Sequence, residues 1–208
     1  MAALPPTSTA RLPLEHGHWD YTKFDFADLD KRVTAVIVST QIIQDEDGGF
    51  INKSAIIMHV IPRSFLKIAI DPISHGEVRE ARYTITSHHE LEDYLPFFMD
   101  TEHGSEPRVR EMWTEAISRA LHRYYVRSPD PHDFRDWIQR ALASWNEAVY
   151  FAQSENTDYA AKLRKCYYFD SGGNLRNQER PLVKGWYATQ DQCPLRLGLA
   201  KYLVPDAR

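Results

Sequence analysis

The sequence predicts an α+β domain: an antiparallel sheet centred on a hairpin at 54–70, packed by two amphipathic helices at about 105–121 and 131–151. Three observations carry this. Ser54 to Ile61 and Ser64 to Ile70 are two runs rich in β-branched residues, joined by a turn at Pro62-Arg63. Val109, Met112, Trp113, Ala116, Ile117, Ala120 and Leu121 recur at the spacing of one buried helical face. Phe134, Trp137, Ile138, Ala141, Leu142, Trp145 and Val149 do so again, behind Asp130 as N-cap and Pro131 at the first helical position.

Taken in order, Met1 to Leu14 reads as a disordered leader and 15–208 as a single domain with a packed C-terminal extension. Glu15 to Lys31 is aromatic but irregular, a segment that lies against the domain. Val33 to Ile43 is a strand, and Asp45 to Gly49 a polar turn. In the first hairpin strand both faces are apolar, with Ile56, Met58 and Val60 on one and Ala55, Ile57, His59 and Ile61 on the other, so it is covered on both sides. The second strand alternates Leu66, Ile68 and Ile70 with Phe65, Lys67 and Ala69, which predicts one wetter face. Val78 to Thr86 is a further strand whose charge places it at an edge. Ser87 with Glu90 has the form of a capping box, predicting a short helix through Leu91, Tyr94 and Leu95 that Pro96 ends. Tyr124 to Val126 is a short strand, Asn156 to Arg164 a helix, Cys166 to Phe169 a strand and Ser171 to Asn174 a turn. From Gln178 on, prolines and glycines break the pattern, while Trp186, Tyr187, Leu195, Leu197, Leu199 and Tyr202 predict a tail that packs on the domain.

Composition narrows the function. The chain has 208 residues, 43% of them hydrophobic and 26% charged, enough to bury a core. A net charge of −4 and a pI near 6.1 argue against a nucleic-acid surface. The arginines of the two helices alternate with Glu111, Glu115, Asp133 and Asp136, the pattern of a solvated face. Cys166 and Cys193 have no metal-type spacing and form no disulfide framework. There is no apolar run of membrane length and no signal-peptide core, so a cytoplasmic protein without a membrane partner is expected. Phosphate-binding glycine patterns, nucleophile elbows and His-Glu-x-x-His are absent, and neither a metal nor a cofactor is expected.

Few residues remain as candidates for chemistry. His59, inside the apolar hairpin, is the candidate acid/base; a core histidine bonded to its neighbours is the plainer reading. His16-Gly17-His18 beside Asp20 offers metal ligands, but its flanks hold no fixed geometry. His88-His89 near Glu90 and Glu92 is better explained by helix capping and the helix dipole. Cys166, in an apolar strand, has the setting of an inert buried thiol, and Cys193 has no base beside it. Trp113, Trp137 and Trp145 either line a ligand pocket or fill the core, the latter being usual at helical spacing.

The hairpin and second helix together resemble an uncharacterised, mostly fungal domain family with a circularly permuted papain-like layout, as in NlpC/P60 and lecithin-retinol-acyltransferase relatives. The matching stretches are Asn52-Lys53-Ser54 leading into Ala55 to Ile61, then Ser64 to Ile70, Tyr124-Tyr125, and Asp133-Phe134-Arg135-Asp136-Trp137. The resemblance implies a strand histidine and a later cysteine at a helix N-terminus, where the helix end lowers the thiol pKa. Here Lys53 stands in place of the histidine and Phe134 in place of the cysteine, which implies lost thiol chemistry.

The function expected is therefore a non-catalytic, intracellular binding or accessory protein; from the resemblance, it serves a fungal metabolic pathway. Its site for a small molecule or protein partner would lie near the hairpin and the two Trp-bearing helices, with Trp113, Trp137 and Arg135 as binding residues. The alternatives are an enzyme using His59 or His18, or a degenerate thiol hydrolase or acyltransferase-like fold; a homo-oligomeric structural protein is the third reading.

Overall fold

A computed structural model describes residues 19–44, 46–61, 64–75, 78–88, 95–100, 106–119, 121, 124–127, 133–150 and 156–187. The leader, His16, His18, the Pro62-Arg63 turn, His89 to Glu92, Asp130-Pro131, Cys193 and the tail from 188 lie outside the described residues. The fold is α+β, as the patterning predicts.

The hairpin is the middle of the sheet. Its strands are β3 (Phe50–Val60) and β4 (Ser64–His75), flanked by β2 (Val33–Gln44) and β5 (Val78–His88) in an antiparallel meander. Beyond β2 lies β6 (Leu95–Asp100). Beyond β5 lie β1 (Trp19–Lys23), parallel to it, and β7 (Tyr124–Val126), which pairs in turn with β10 (Trp186–Tyr187). A separate ribbon joins β8 (Lys165–Phe169) to β9 (Leu175–Glu179).

One face of the meander is the core. Val36, Val38, Ile56, Met58, Leu66, Ile68, Ile70, Tyr83 and Ile85 project from four strands into one cluster. The cover is α1 (Val109–Ser118) and α2 (Arg135–Glu147), which bury Val109, Met112, Trp113 and Ala116, and Trp137, Ile138, Ala141, Leu142 and Trp145 respectively. Two indoles lock this cover by hydrogen bonds as well as area: Trp145 Nε1 donates to the Met112 carbonyl at 2.9 Å, and Trp137 Nε1 to the Leu121 carbonyl at 2.7 Å. Tyr83 Oη donates to the same Leu121 oxygen at 2.6 Å. A buried indole or phenol would otherwise leave a polar atom without a partner. On the opposite face Ile37, Ala55 and Ile57 are also buried, while Phe65, Lys67 and Ala69 are half-buried, as their alternation predicts.

Four expectations are corrected. Ser87 and His88 close β5 and Leu95 opens β6, so no capped helix starts at Ser87. Pro96 is accommodated because β6 ends the sheet, where a missing N–H is tolerated. β5 is interior: it has strands on both sides, and its Glu80 is buried against the Tyr125 hydroxyl. α2 begins at Arg135, later than the Asp130-Pro131 signal, and Phe134 at its N-cap makes no side-chain capping bond. Finally, Asp133, Arg135 and Asp136 are buried rather than solvated.

The helix ends show their own chemistry. Arg108, just before α1, donates its backbone N–H to Glu111 Oε2 at 2.8 Å, half of a capping box. α2 ends in a Schellman pattern, with Tyr150 N–H bonded to the Trp145 carbonyl at 3.0 Å. Its left-handed residue is Val149, at φ 61° and 64% exposed, where a glycine is the unstrained choice.

Candidate functional site

Among the described residues, the space between sheet and helices is filled. The cavity left there, beside Met58, Leu66 and Trp113, is only about 10 Å3, the scale of a single water-sized void. Trp113 and Trp137 are core side chains, Trp137 stacked on Tyr83 with ring centroids 5.2 Å apart.

The other expected residues are dispersed. His59 is half-buried; its Nδ1 lies 2.8 Å from the Thr34 hydroxyl, and its ring stacks on Phe65 at 5.1 Å. Cys166 is buried at the other end of β3, because Asn52 clasps the backbone of neighbouring Tyr167 with bonds of 2.8 and 2.7 Å. Seven residues of strand separate Asn52 from His59, about 24 Å at 3.4 Å each, so thiol and imidazole do not meet. Lys53 and Phe134 lie on opposite faces of the sheet, Phe134 in the core and Lys53 on the side with Ala55 and Ile57. Lys31 Nζ donates to Ser64 Oγ at 3.1 Å, a geometry seen in Ser–Lys catalysis, but the same ammonium is ion-paired with buried Asp28 at 2.5 Å. An ion-paired ammonium has no lone pair with which to take the serine proton.

Arg135 leads to an open groove. Its five N–H donors are all engaged. Nε and Nη2 form a bidentate pair with Asp133 at 2.7 and 3.0 Å. Nη1 donates to the carbonyls of Leu163 at 3.0 Å and Arg180 at 3.2 Å, and Nη2 also to Pro181 at 3.2 Å. The guanidinium thus ties the end of α3 (Asn156–Leu163) and the segment after β9 to the start of α2. Asp136 continues the fastening: its Oδ2 accepts from Tyr124 Oη at 2.8 Å, Arg140 Nε at 2.9 Å and the Gly185 N–H at 3.1 Å. Gly185 has to be glycine here, since a Cβ would come within 2.2 Å of both the Tyr124 ring and the Tyr125 carbonyl.

The strap so held, Arg180 to Gly185, walls a groove of about 740 Å3. The remaining lining is Asp136 and Gln139 from α2, Arg164 after α3, and Glu179 at the end of β9. Arg164, Arg180 and Lys184 supply three cations; of the two carboxylates, Asp136 is already bonded to Arg140. Residues 160–187 carry six Lys and Arg against two acidic residues, in a chain of net charge −4. The groove is large enough for a small organic molecule, and its lining favours a charged, polar one.

At the end of the β8–β9 ribbon away from the groove, the turn is set by Asp170. Its Oδ1 accepts the N–H groups of Gly172 and Asn174, both at 2.9 Å, and its Oδ2 pairs with Arg176 at 2.9 Å. The bond from the Asn174 N–H, followed by that from Arg176, holds the Asp170 carboxyl below its ordinary pKa.

These features define an α+β protein whose main sheet is covered on one face by two helices, with a strapped, cation-lined groove at the N-terminus of α2. No family model, no curated protein and no solved structure matches the chain.

Proposed function

We propose that this is a non-catalytic binding protein whose ligand is a small polyanionic molecule seated in the α2 groove. The observation that carries this reading is the fastening of the groove wall: a fully bonded Arg135 and a triply bonded Asp136, both buried, fix an otherwise irregular strap. Buried ionic groups rarely add net stability over apolar ones of the same size, so their use here favours a role in geometry. Arg164, Arg180 and Lys184 line the groove together with Glu179, and cations in excess on a fixed frame attract an anion with little ordering left to do.

Two local arrangements support a non-catalytic reading. His59 is occupied by Thr34 and Phe65, and Lys31 by Asp28. The reading is tested by thermal shift with citrate, pyrophosphate and ATP against glucose at constant ionic strength. At least one polyanion raises Tm in the wild type and does not in the Arg164→Glu/Lys184→Glu variant. No shift with any of the three, or equal shifts in both proteins, contradicts it.

A further inference from the structure

The lining of the α2 groove is not all cationic, and the rest of it narrows what the groove selects. At the ribbon end the ladder closes with Lys165↔Glu179, and the Arg180 N–H then donates to the Arg164 carbonyl at 2.6 Å. Glu179 is thereby held immediately before the strap, in the same lining as Arg164. From α2, half-buried Gln139 stands about one turn on from Asp136. Pro181 and Leu182 add an apolar strip, Leu182 being packed against the core.

These groups differ in how they are occupied. Asp136 is taken up by Tyr124, Arg140 and Gly185. Among the described residues, the side chains of Arg164, Lys184, Glu179 and Gln139 make no hydrogen bond or ion pair within the protein. A ligand therefore meets two cations, one acceptor-only carboxylate and one amide that both donates and accepts. A bare anion satisfies the cations and is repelled by Glu179. An ammonium satisfies Glu179 and is repelled by Arg164 and Lys184. A hydroxyl is neutral and donates, so it meets Glu179 and Gln139 without opposing the cations. A volume of about 740 Å3 holds an organic molecule rather than a lone phosphate, and its carbon skeleton has Pro181 and Leu182 to cover.

We propose, resting on the groove reading above, that the ligand is a polyhydroxylated organic phosphate. Arg164 and Lys184 hold its phosphate, and Glu179 and Gln139 are the specificity-determining residues that hold its hydroxyls.

The test is calorimetric titration of the full chain at constant ionic strength with three probes: pyrophosphate, mannitol 1,6-bisphosphate, and hexane-1,6-diol bisphosphate, which keeps the charge and lacks the hydroxyls. The wild type binds the mannitol ester roughly tenfold more tightly than the hexane ester, the scale of one hydrogen bond to a charged group. In Glu179→Ala/Gln139→Ala the preference disappears: the mannitol ester weakens, while the hexane ester and pyrophosphate bind at least as well as before. Equal affinity for the two esters in the wild type, the same preference in the variant, or loss of pyrophosphate binding in the variant would overturn the assignment, with saturable pyrophosphate binding in the wild type still upholding the groove. No saturable heat with any of the three in the wild type overturns the groove reading and this one together.

Discussion

α2 meets the rest of the protein on two sides, and the two are built from different forces. Toward the sheet, Trp137, Ile138, Ala141, Leu142 and Trp145 close the space almost completely. At its first turn, Arg135 and Asp136 meet the strap through directional, charge-assisted bonds and leave a wide groove alongside. Apolar packing is non-directional and maximises contact, so it removes voids. Hydrogen bonds fix positions without needing to fill the space around them, so they can hold a wall open. The difference explains why the aromatic helices hold the fold together while a groove stays open beside the polar turn.

The largest effect is expected where a buried charge is orphaned. Arg135→Ala leaves Asp133 without its partner and three carbonyls without donors, and costs about 3–5 kcal/mol in urea unfolding. A loss below about 1 kcal/mol would mean that the strap is not held as described. Gly185→Ala separates the two sides of α2 more cleanly. Its methyl group collides with Tyr124 and displaces the strap, so about 1–3 kcal/mol is lost, together with polyanion binding, while the helix-covered core keeps its near-ultraviolet signature.

A smaller and opposite effect is expected at the other end of α2. Val149→Gly relieves a left-handed β-branched residue whose exposed side chain packs little, raising stability by roughly 0.5–1 kcal/mol without altering the groove. The smallest effect is a pH dependence at the groove's neighbouring ribbon. Asp170 has a folded pKa below the ordinary aspartate value of 3.8, so its contribution is complete above that value and fades as pH falls through the lower folded one. Amide NMR of Gly172 and Asn174 should show the turn intact at pH 6 and loosening only below about pH 3.8. Asp170→Asn should show no such transition.

The sheet and its cover were legible because periodicity reports burial directly. The alternation in 54–70 and the three-and-four spacing in 109–116 and 134–145 identify faces that the structure buries, whereas Val149, expected in the second stripe, is exposed because α2 ends at Glu147. β6 was hidden because Ser87 and Glu90 imitate a capping box, whereas the aromatic run Leu95 to Met99 is stabilised by pairing with β2, a long-range term that no local pattern carries. β5 was placed at an edge on its charges, but Tyr125 Oη reaches Glu80 at 2.9 Å and makes one of them internal.

The groove was legible only in part. Arg135 stands among the candidate binding residues, yet beyond Asp133 its contacts are backbone oxygens at 163, 180 and 181, and a carbonyl leaves no signature in the identity of its residue. Asp133 and Asp136 alternate with arginines exactly as a solvated face does; only the tertiary fold turns them inward. One signal was available. A lone glycine, Gly185, stands before the strand pair Trp186–Tyr187, and such a residue marks a close backbone approach.

The central claim is that the strapped groove is a polyanion site, and calorimetric titration of pyrophosphate into wild type and Arg164→Glu/Lys184→Glu at equal ionic strength tests it most directly. The account predicts a saturable heat in the wild type that weakens at least tenfold in the variant. Equal heats in the two proteins, or no saturable heat in the wild type, would contradict it.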